Sequence, residues 1–148
     1  MDTRKISEDF SVAGQIAPMD LSEIAAMGFA SVMCNRPDGE ATDQPAFAQI
    51  AQAANAAGLE AAYVPVQPSG VVDSDIEGFR DAFKHMPPPV LAFCRSGMRS
   101  AGLWALNQAQ TQPVAEVLAQ AAGAGYDLTP MAHRLDQRHQ VAENSGSP

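Results

Sequence analysis

Short apolar runs alternate along this chain with segments of helical periodicity, and this alternation restricts the possible folds more than any other feature. The segment Asp73–His85 carries apolar residues at helical spacing, and three prolines at 87–89 stop it. The apolar run Val90–Phe93 that follows is typical of a buried strand. Strands that alternate with helices form right-handed βαβ units and a parallel sheet. We therefore predict a single-domain α/β fold whose central, mostly parallel sheet is flanked by helices.

Glycines and prolines mark the ends of the other predicted elements. Asp20 is predicted to cap a short helix that ends at Gly28, with Glu23 close to a capping-box position. We assign the domain to residues 1–137 and expect a disordered polar tail over 138–148. The predicted strands are 6–12 (a strand or hairpin), 29–34, 59–66 and 90–93, and the predicted helices are 45–57, 73–85, 101–110, 113–122 and a last helix capped by Thr129.

The charge balance restricts the possible partners. Nine Lys and Arg residues against 17 Asp and Glu residues give a net charge of -8. This balance argues against binding to nucleic acid or to an anionic membrane surface. The N-terminus has no signal-peptide pattern, and no apolar run is long enough to span a membrane. We therefore expect a cytoplasmic protein whose two cysteines are free thiols, and we leave its oligomeric state open.

The segment Cys94–Ser100 (CRSGMRS) is the strongest candidate for a functional site. It follows the predicted strand Val90–Phe93 and precedes a helix. In a parallel sheet this order places Cys94 at the carboxyl end of a strand, where open α/β folds bind ligands. Gly97 permits a turn that points backbone N–H groups inward, and the helix adds its positive end. The N–H groups and the helix end stabilise negative charge on the sulfur and so favour the thiolate, which is the nucleophilic form of cysteine.

We assign roles to the residues of this loop and its surroundings. Cys94 is the predicted nucleophile, and Arg99 is predicted to hold an oxyanion through two hydrogen bonds. Cys34, at the end of a neighbouring strand, is either a core residue, which we favour, or a resolving thiol. Arg36 either binds a second anionic group or pairs with an Asp of its own turn. The predicted substrate-binding residues are Arg95, Ser96, Gly97, Met98 and Ser100, with Arg36 as a further candidate.

The chain resembles two known groups of proteins. The loop CRSGMRS resembles the active-site loop of rhodanese-type sulfurtransferases. The wider pattern, over about residues 5–128, resembles the phosphatase-like domain of beta-lactamase hydrolase-like proteins. This second resemblance implies a tyrosine-phosphatase-like fold and either sulfurtransferase or phosphatase activity. The segments that carry it are ISEDFSVAGQIAPMDLSEIAAMGFASVM, NRPDGE, YVPVQP, DIEGFRDAF and the loop itself.

Two features of the sequence favour sulfur transfer over phosphate hydrolysis. Cysteine phosphatases have five residues between the cysteine and the arginine, whereas four separate Cys94 from Arg99. Phosphatases also need a general acid, and the expected positions hold Gln67 and Pro68. Asp73 and Asp75 follow, but we predict that both are first-turn acids of a helix.

We therefore predict a sulfurtransferase that needs no metal or organic cofactor. Cys94 would take a sulfane sulfur from thiosulfate or a persulfide and pass it to a thiol acceptor or cyanide. The first alternative is a phosphatase that acts on a small anionic phosphate through a Cys94 phosphoenzyme. The second alternative is a non-catalytic module that binds an anion in the same loop.

Overall fold

A five-stranded sheet lies at the centre of the computed structural model, which describes residues 1–145 and side chains through residue 143. Its strand order is β1-β2-β5-β3-β4. The first two strands form an antiparallel hairpin, and every other neighbouring pair is parallel. The predicted mostly parallel sheet is thus confirmed. The strands are β1 (Thr3–Ser7), β2 (Phe10–Ala13), β3 (Ser31–Cys34), β4 (Glu60–Tyr63) and β5 (Val90–Phe93).

Helices cover both faces of this sheet. One core cluster joins α1 and α2 to the sheet, and a larger one joins α3, α4, α5 and α6 to its other face. The described α-helices are α1 (Leu21–Ala26), α2 (Phe47–Ala56), α3 (Asp73–His85), α4 (Met98–Gln108), α5 (Val114–Gly123) and α6 (Ala132–Ser145). None of the described helices combines the length and apolar character required to cross a membrane.

Strand β5 is central and fully buried, which explains its uniformly apolar sequence. Successive side chains of a strand point to opposite faces of the sheet. Val90 and Ala92 accordingly belong to the larger cluster, and Leu91 and Phe93 belong to the cluster beneath α1 and α2. A parallel strand with helices on both faces needs apolar residues at every position. The strand therefore delivers Cys94 to the middle of the sheet's carboxyl edge.

The observed helix starts differ from three of our predictions. Helix α4 begins at Met98, so Arg99 and Ser100 lie in its first turn. Asp20 ends a 3-10 turn (Pro18–Asp20) and occupies the predicted N-cap position of α1, but its side chain does not cap that helix, because its Oδ2 accepts a hydrogen bond from the Ala17 N–H at 2.8 Å. Thr129 likewise opens a 3-10 turn (Thr129–Met131) ahead of α6.

The C-terminal segment also differs from prediction. Helix α6 includes residues 138–145, which the sequence analysis assigned to a disordered tail, whereas residues 146–148 lie outside the described residues. Leu135 is fully buried and belongs to the larger core cluster. The Nδ1 of His139 lies 2.9 Å from the carbonyl oxygen of Ala109. These tertiary contacts order a helix whose own sequence is mostly polar.

Candidate active site

Cys94 lies directly after β5, and its loop folds back over the sulfur. The residue is only 1% exposed. The backbone N–H of Gly97 donates a hydrogen bond to the Cys94 Sγ at 3.1 Å. A donor at this position stabilises the negative charge of a thiolate. Gly97 adopts a φ of +95°, a left-handed conformation that glycine adopts without strain, and it immediately precedes α4.

Tyr126 packs against the loop at Gly97. A Cβ atom on Gly97 would lie 2.2 Å from the Tyr126 hydroxyl oxygen and 2.7 Å from Cγ1 of Val12. The hydroxyl donates a hydrogen bond to the carbonyl oxygen of Ser96 at 3.3 Å. Burial raises the pKa of Tyr126, and the nearby charge of Cys94 raises it further. Tyr126 was not among the predicted site residues, because it follows α5 and no local pattern connects it to the loop.

Arg99 forms a bidentate ion pair with Glu40. Its Nη1 donates to Oε2 at 2.6 Å, and its Nη2 donates to Oε1 at 2.9 Å. Nη1 also donates to the Val66 carbonyl oxygen at 2.8 Å. The hydrogen bond from Arg99 is the largest cause that lowers the pKa of Glu40 to about 2. Hydrogen bonding to Glu40 raises the pKa of Arg99, and the charge of Cys94 raises it as well, which places the guanidinium within electrostatic range of the sulfur.

Arg36 joins the same network from the turn after β3. Its Nε donates to Oε1 of Glu40 at 2.9 Å, and its Nη1 donates to Oε1 of Gln15 at 3.1 Å. The predicted pairing with an aspartate of the turn is wrong, because Asp38 instead accepts a hydrogen bond from the Phe47 N–H at 2.9 Å. Glu40 therefore pairs with two arginines. The sequence did not predict this pairing, because Arg99 lies 59 positions from Glu40 along the chain.

An open cavity of about 620 Å³ lies beside the loop. Two carboxylates line it, Glu40 and Asp43. Glu40 is held by Arg99 and Arg36, whereas Asp43 is exposed. The charged and polar residues that line it include Gln15, Arg36, Glu40, Asp43, Arg95 and Arg99.

The two aspartates weighed as general acids lie away from this cavity. Both are in the first turn of α3, as the sequence predicts. Asp75 accepts a hydrogen bond from the Val72 N–H at 2.9 Å, and Asp73 pairs with Arg134 of α6 at 3.4 Å. Neither residue lines the cavity beside Arg95 and Arg99.

The other loop residues divide into exposed and buried positions. Arg95, Ser96 and Met98 are exposed at the surface of the loop, where a substrate can reach them. Ser100 is fully buried, and its hydroxyl donates to Oδ1 of Asn35 at 2.8 Å. This hydrogen bond joins the start of α4 to Asn35, the residue directly after β3. This contact differs from the predicted one to substrate.

Cys34 packs in the core, in agreement with the interpretation we favour. It is 3% exposed, and its thiol donates a hydrogen bond to the Arg36 carbonyl oxygen at 3.3 Å. Burial is the main cause that raises the pKa of Cys34 to about 11. Both cysteines are free thiols in this structure.

Comparison with known sequences identifies relatives over most of the chain. Residues 2–111 match the family described as the phosphatase-like domain of beta-lactamase hydrolase-like proteins. A beta-lactamase hydrolase-like protein from Agrobacterium fabrum is 35% identical over 109 residues, which are 74% of this chain and 25% of that protein. The chain thus spans about a quarter of the length of the curated relatives it matches.

Solved structures support the same assignment. A Neisseria meningitidis protein that carries a provisional phosphatase assignment superimposes with a TM-score of 0.81 at 36% identity, over 91% of this chain and 96% of that one. The structure of PTPMT1 superimposes with a TM-score of 0.73 over 97% of this chain and 98% of that one. Its identity is 14%, so this second likeness concerns the fold alone. The fold is tyrosine-phosphatase-like, as the resemblance in sequence implied.

Proposed function

The chain belongs to the phosphatase-like domain family of beta-lactamase hydrolase-like proteins, and on this premise we propose that it is a cysteine-dependent phosphatase. One arrangement carries the proposal. The Gly97 N–H points at the Cys94 sulfur, and Arg99 is held by Glu40 within electrostatic range of the same sulfur. A buried cysteine whose sulfur accepts a backbone N–H, with a fixed guanidinium beside it, suits attack on a small phosphate ester.

The proposed reaction has two steps. The Cys94 thiolate attacks phosphorus, the ester P–O bond breaks, and a general acid protonates the departing oxygen. Water then attacks the phosphocysteine, and the S–P bond breaks. The general acid, which is now a deprotonated carboxylate, takes up the proton that the water releases. Arg99, Arg95 and the loop N–H groups hold the phosphate oxygens in both steps. This chemistry regenerates the thiolate and consumes one water molecule.

We assign the general acid to Asp43. Glu40 cannot serve, because its pKa of about 2 and its two arginine partners keep it ionised at neutral pH. Asp43 lines the same cavity as Arg95 and Arg99. We infer that this aspartate protonates the leaving oxygen of a substrate whose phosphate is bound at the loop.

Sulfur transfer remains the second candidate, and one observation favours it. Four residues separate Cys94 from Arg99, one fewer than in cysteine phosphatases, and a shorter loop suits a cysteine that carries one extra sulfur. In that reaction Cys94 attacks the outer sulfur of thiosulfate, the S–S bond breaks and sulfite leaves. The Cys94 persulfide then passes its outer sulfur to a thiol acceptor. Sulfite is a good leaving group and needs no general acid.

Parallel assays on the same preparation separate these candidates. We expect hydrolysis of an aryl phosphate by the wild-type chain and none by Cys94→Ser. Intact-mass spectrometry after incubation with thiosulfate tests the second candidate. A gain of one sulfur at Cys94 without phosphate hydrolysis would overturn the phosphatase proposal. Neither reaction would indicate a non-catalytic anion-binding module.

A further inference from the structure

A second groove, of about 720 Å³, lies between α3, the turn after α4, and α6. Among the described residues, none lines both this groove and the cavity beside Arg95 and Arg99. We propose that this groove is a binding site for a small polyanion, of the polyphosphate or polycarboxylate type. The residues that carry the proposal are Asp73, Arg80, Gln110, Arg134, Gln137 and Arg138.

The groove concentrates positive charge in an acidic protein. Three of the nine Lys and Arg residues of the chain line it, although the net charge is -8. Asp73 is the one carboxylate among the described residues that line it, so three arginines and one aspartate give the lining a charge of +2. Guanidinium groups gathered in one groove repel each other, and a bound anion with two or more charges offsets that repulsion.

The partners of these arginines leave their charge largely uncompensated. Among the described residues, the Arg80 guanidinium donates to neutral amide oxygens, those of Asn107 and Gln110. Arg134 and Arg138 both approach Asp73, at 3.4 Å and 4.0 Å. The Asp73 side chain is 81% exposed, so water screens both ion pairs and weakens them.

Arg138 offers further donors to a bound anion. It lines the groove, and its side chain is 23% exposed. The Nη donors of a guanidinium can bind the oxygens of a phosphate or carboxylate. The Arg138 Nε is enclosed and has no hydrogen-bond partner among the described residues, so this cation is incompletely paired. An oxyanion bound at the accessible part of Arg138 adds the missing negative charge.

The composition of the groove limits the ligand to a small molecule. The acidic surface elsewhere on the chain repels long polyanions such as nucleic acids. Besides the arginines, the lining offers the amides of Gln110, Gln137 and Gln140, which can donate further hydrogen bonds. Two of the three arginines come from α6, beyond the residues 2–111 that match the family. The site does not depend on Cys94 or on the proposed function.

Residue-resolved NMR of the full-length chain tests the proposal. Inorganic pyrophosphate and citrate are each titrated into the 15N-labelled protein, and backbone amide shifts are followed at Gln110, Gln137 and Arg138 and, separately, at Ser96 and Gly97. We expect saturable shifts at the first three amides with at least one of the two probes. The probe that binds more tightly identifies the type of anion. Shifts confined to Ser96 and Gly97 with both probes would overturn the proposal.

A pair of variants on α3 controls for general charge effects. Arg80→Gln removes a groove arginine whose hydrogen bonds among the described residues go to Asn107 and Gln110, so the fold should be kept, and a urea-unfolding measurement without ligand verifies this. We expect it to weaken binding at the groove by about tenfold or more, the loss of one charge-assisted hydrogen bond. Lys84→Gln removes the same charge from α3 outside the groove and should change affinity by less than about twofold. An equal loss of anion affinity in both variants would contradict a specific binding site in the groove.

Discussion

Arg99 of α4 and Glu40 of the turn after β3 are joined through two hydrogen bonds, of 2.6 Å and 2.9 Å. The Glu40 carboxylate also accepts from Arg36 at 2.9 Å. Three charges therefore form one network, with Arg99 fixed at the loop of Cys94. A guanidinium held in this way loses less freedom when substrate binds, which makes Glu40 a positioning residue of the candidate site.

Replacing Glu40 by Gln should reduce both stability and activity. Two largely buried arginines would keep their charges without the carboxylate between them, so we expect the free energy of unfolding to fall by about 2 kcal/mol or more. We also expect kcat/KM for an aryl phosphate to fall by about tenfold or more. Urea unfolding and steady-state kinetics measure the two effects. Glu60→Gln, which removes an exposed carboxylate, is the control, and an equal effect of both variants would contradict the prediction.

The same carboxylate predicts an acid-sensitive contribution to stability. The folded-state pKa of Glu40 is about 2, below its ordinary value of 4.5. Its stabilisation is therefore complete above about pH 4.5 and is lost as the pH falls toward 2, a loss of up to about 3 kcal/mol. Urea unfolding at pH 7, 5 and 3 should show a steeper decline for the wild type than for Glu40→Gln. Parallel declines would show that Glu40 is not the group that titrates.

Gly97→Ala should damage the loop in two ways. Its φ of +95° strains any residue with a Cβ, and that Cβ would meet the Tyr126 hydroxyl and Val12. We expect a loss of about 2 kcal/mol in the free energy of unfolding, together with loss of phosphatase activity. Gly123→Ala is the control, since the added Cβ there would meet no other described residue within 4 Å beyond its own stretch of helix. A fully active Gly97→Ala chain would refute the close packing at this loop.

Asp43→Asn tests the assigned general acid. We expect kcat to fall by about a hundredfold for an alkyl phosphate, whose leaving oxygen needs a proton, and by much less for a nitrophenyl phosphate. Asp73→Asn should leave both rates unchanged, because Asp73 lies outside the cavity beside the loop. Steady-state rates for the two substrates provide the measurement. Unchanged rates for Asp43→Asn would remove Asp43 from the mechanism.

The two cysteines should differ in reactivity. The pKa of Cys34 is raised to about 11, so its thiol remains protonated and unreactive at pH 7.5. Cys94 has a hydrogen-bond donor at its sulfur and a neighbouring guanidinium. Iodoacetamide should therefore modify Cys94 first, as peptide mass spectrometry can show, and Cys94→Ser should leave the folded chain unmodified. Faster labelling of Cys34 would contradict this order.

Several elements of the fold were predictable because their signals are local. Three prolines and the apolar run at 90–93 define β5, and the helical spacing of apolar residues over Asp73–His85 defines α3 with the observed bounds. The last helix was predicted, but its continuation past residue 137 was not. Its polar sequence is ordered by the burial of Leu135 and by the contact of His139 with Ala109, and neither contact is visible in a local pattern.

The sequence by itself determined that a buried parallel strand ends at Cys94 and that a glycine-containing turn leads from it into a helix. Periodicity and the conformational preferences of neighbouring residues suffice for this, since they act over a few positions. Only the tertiary structure decided which groups surround that turn. Glu40 meets Arg99 across 59 positions, and Tyr126 meets Ser96 across 30. Such contacts depend on how the helices pack on the sheet, and local preferences do not encode that packing.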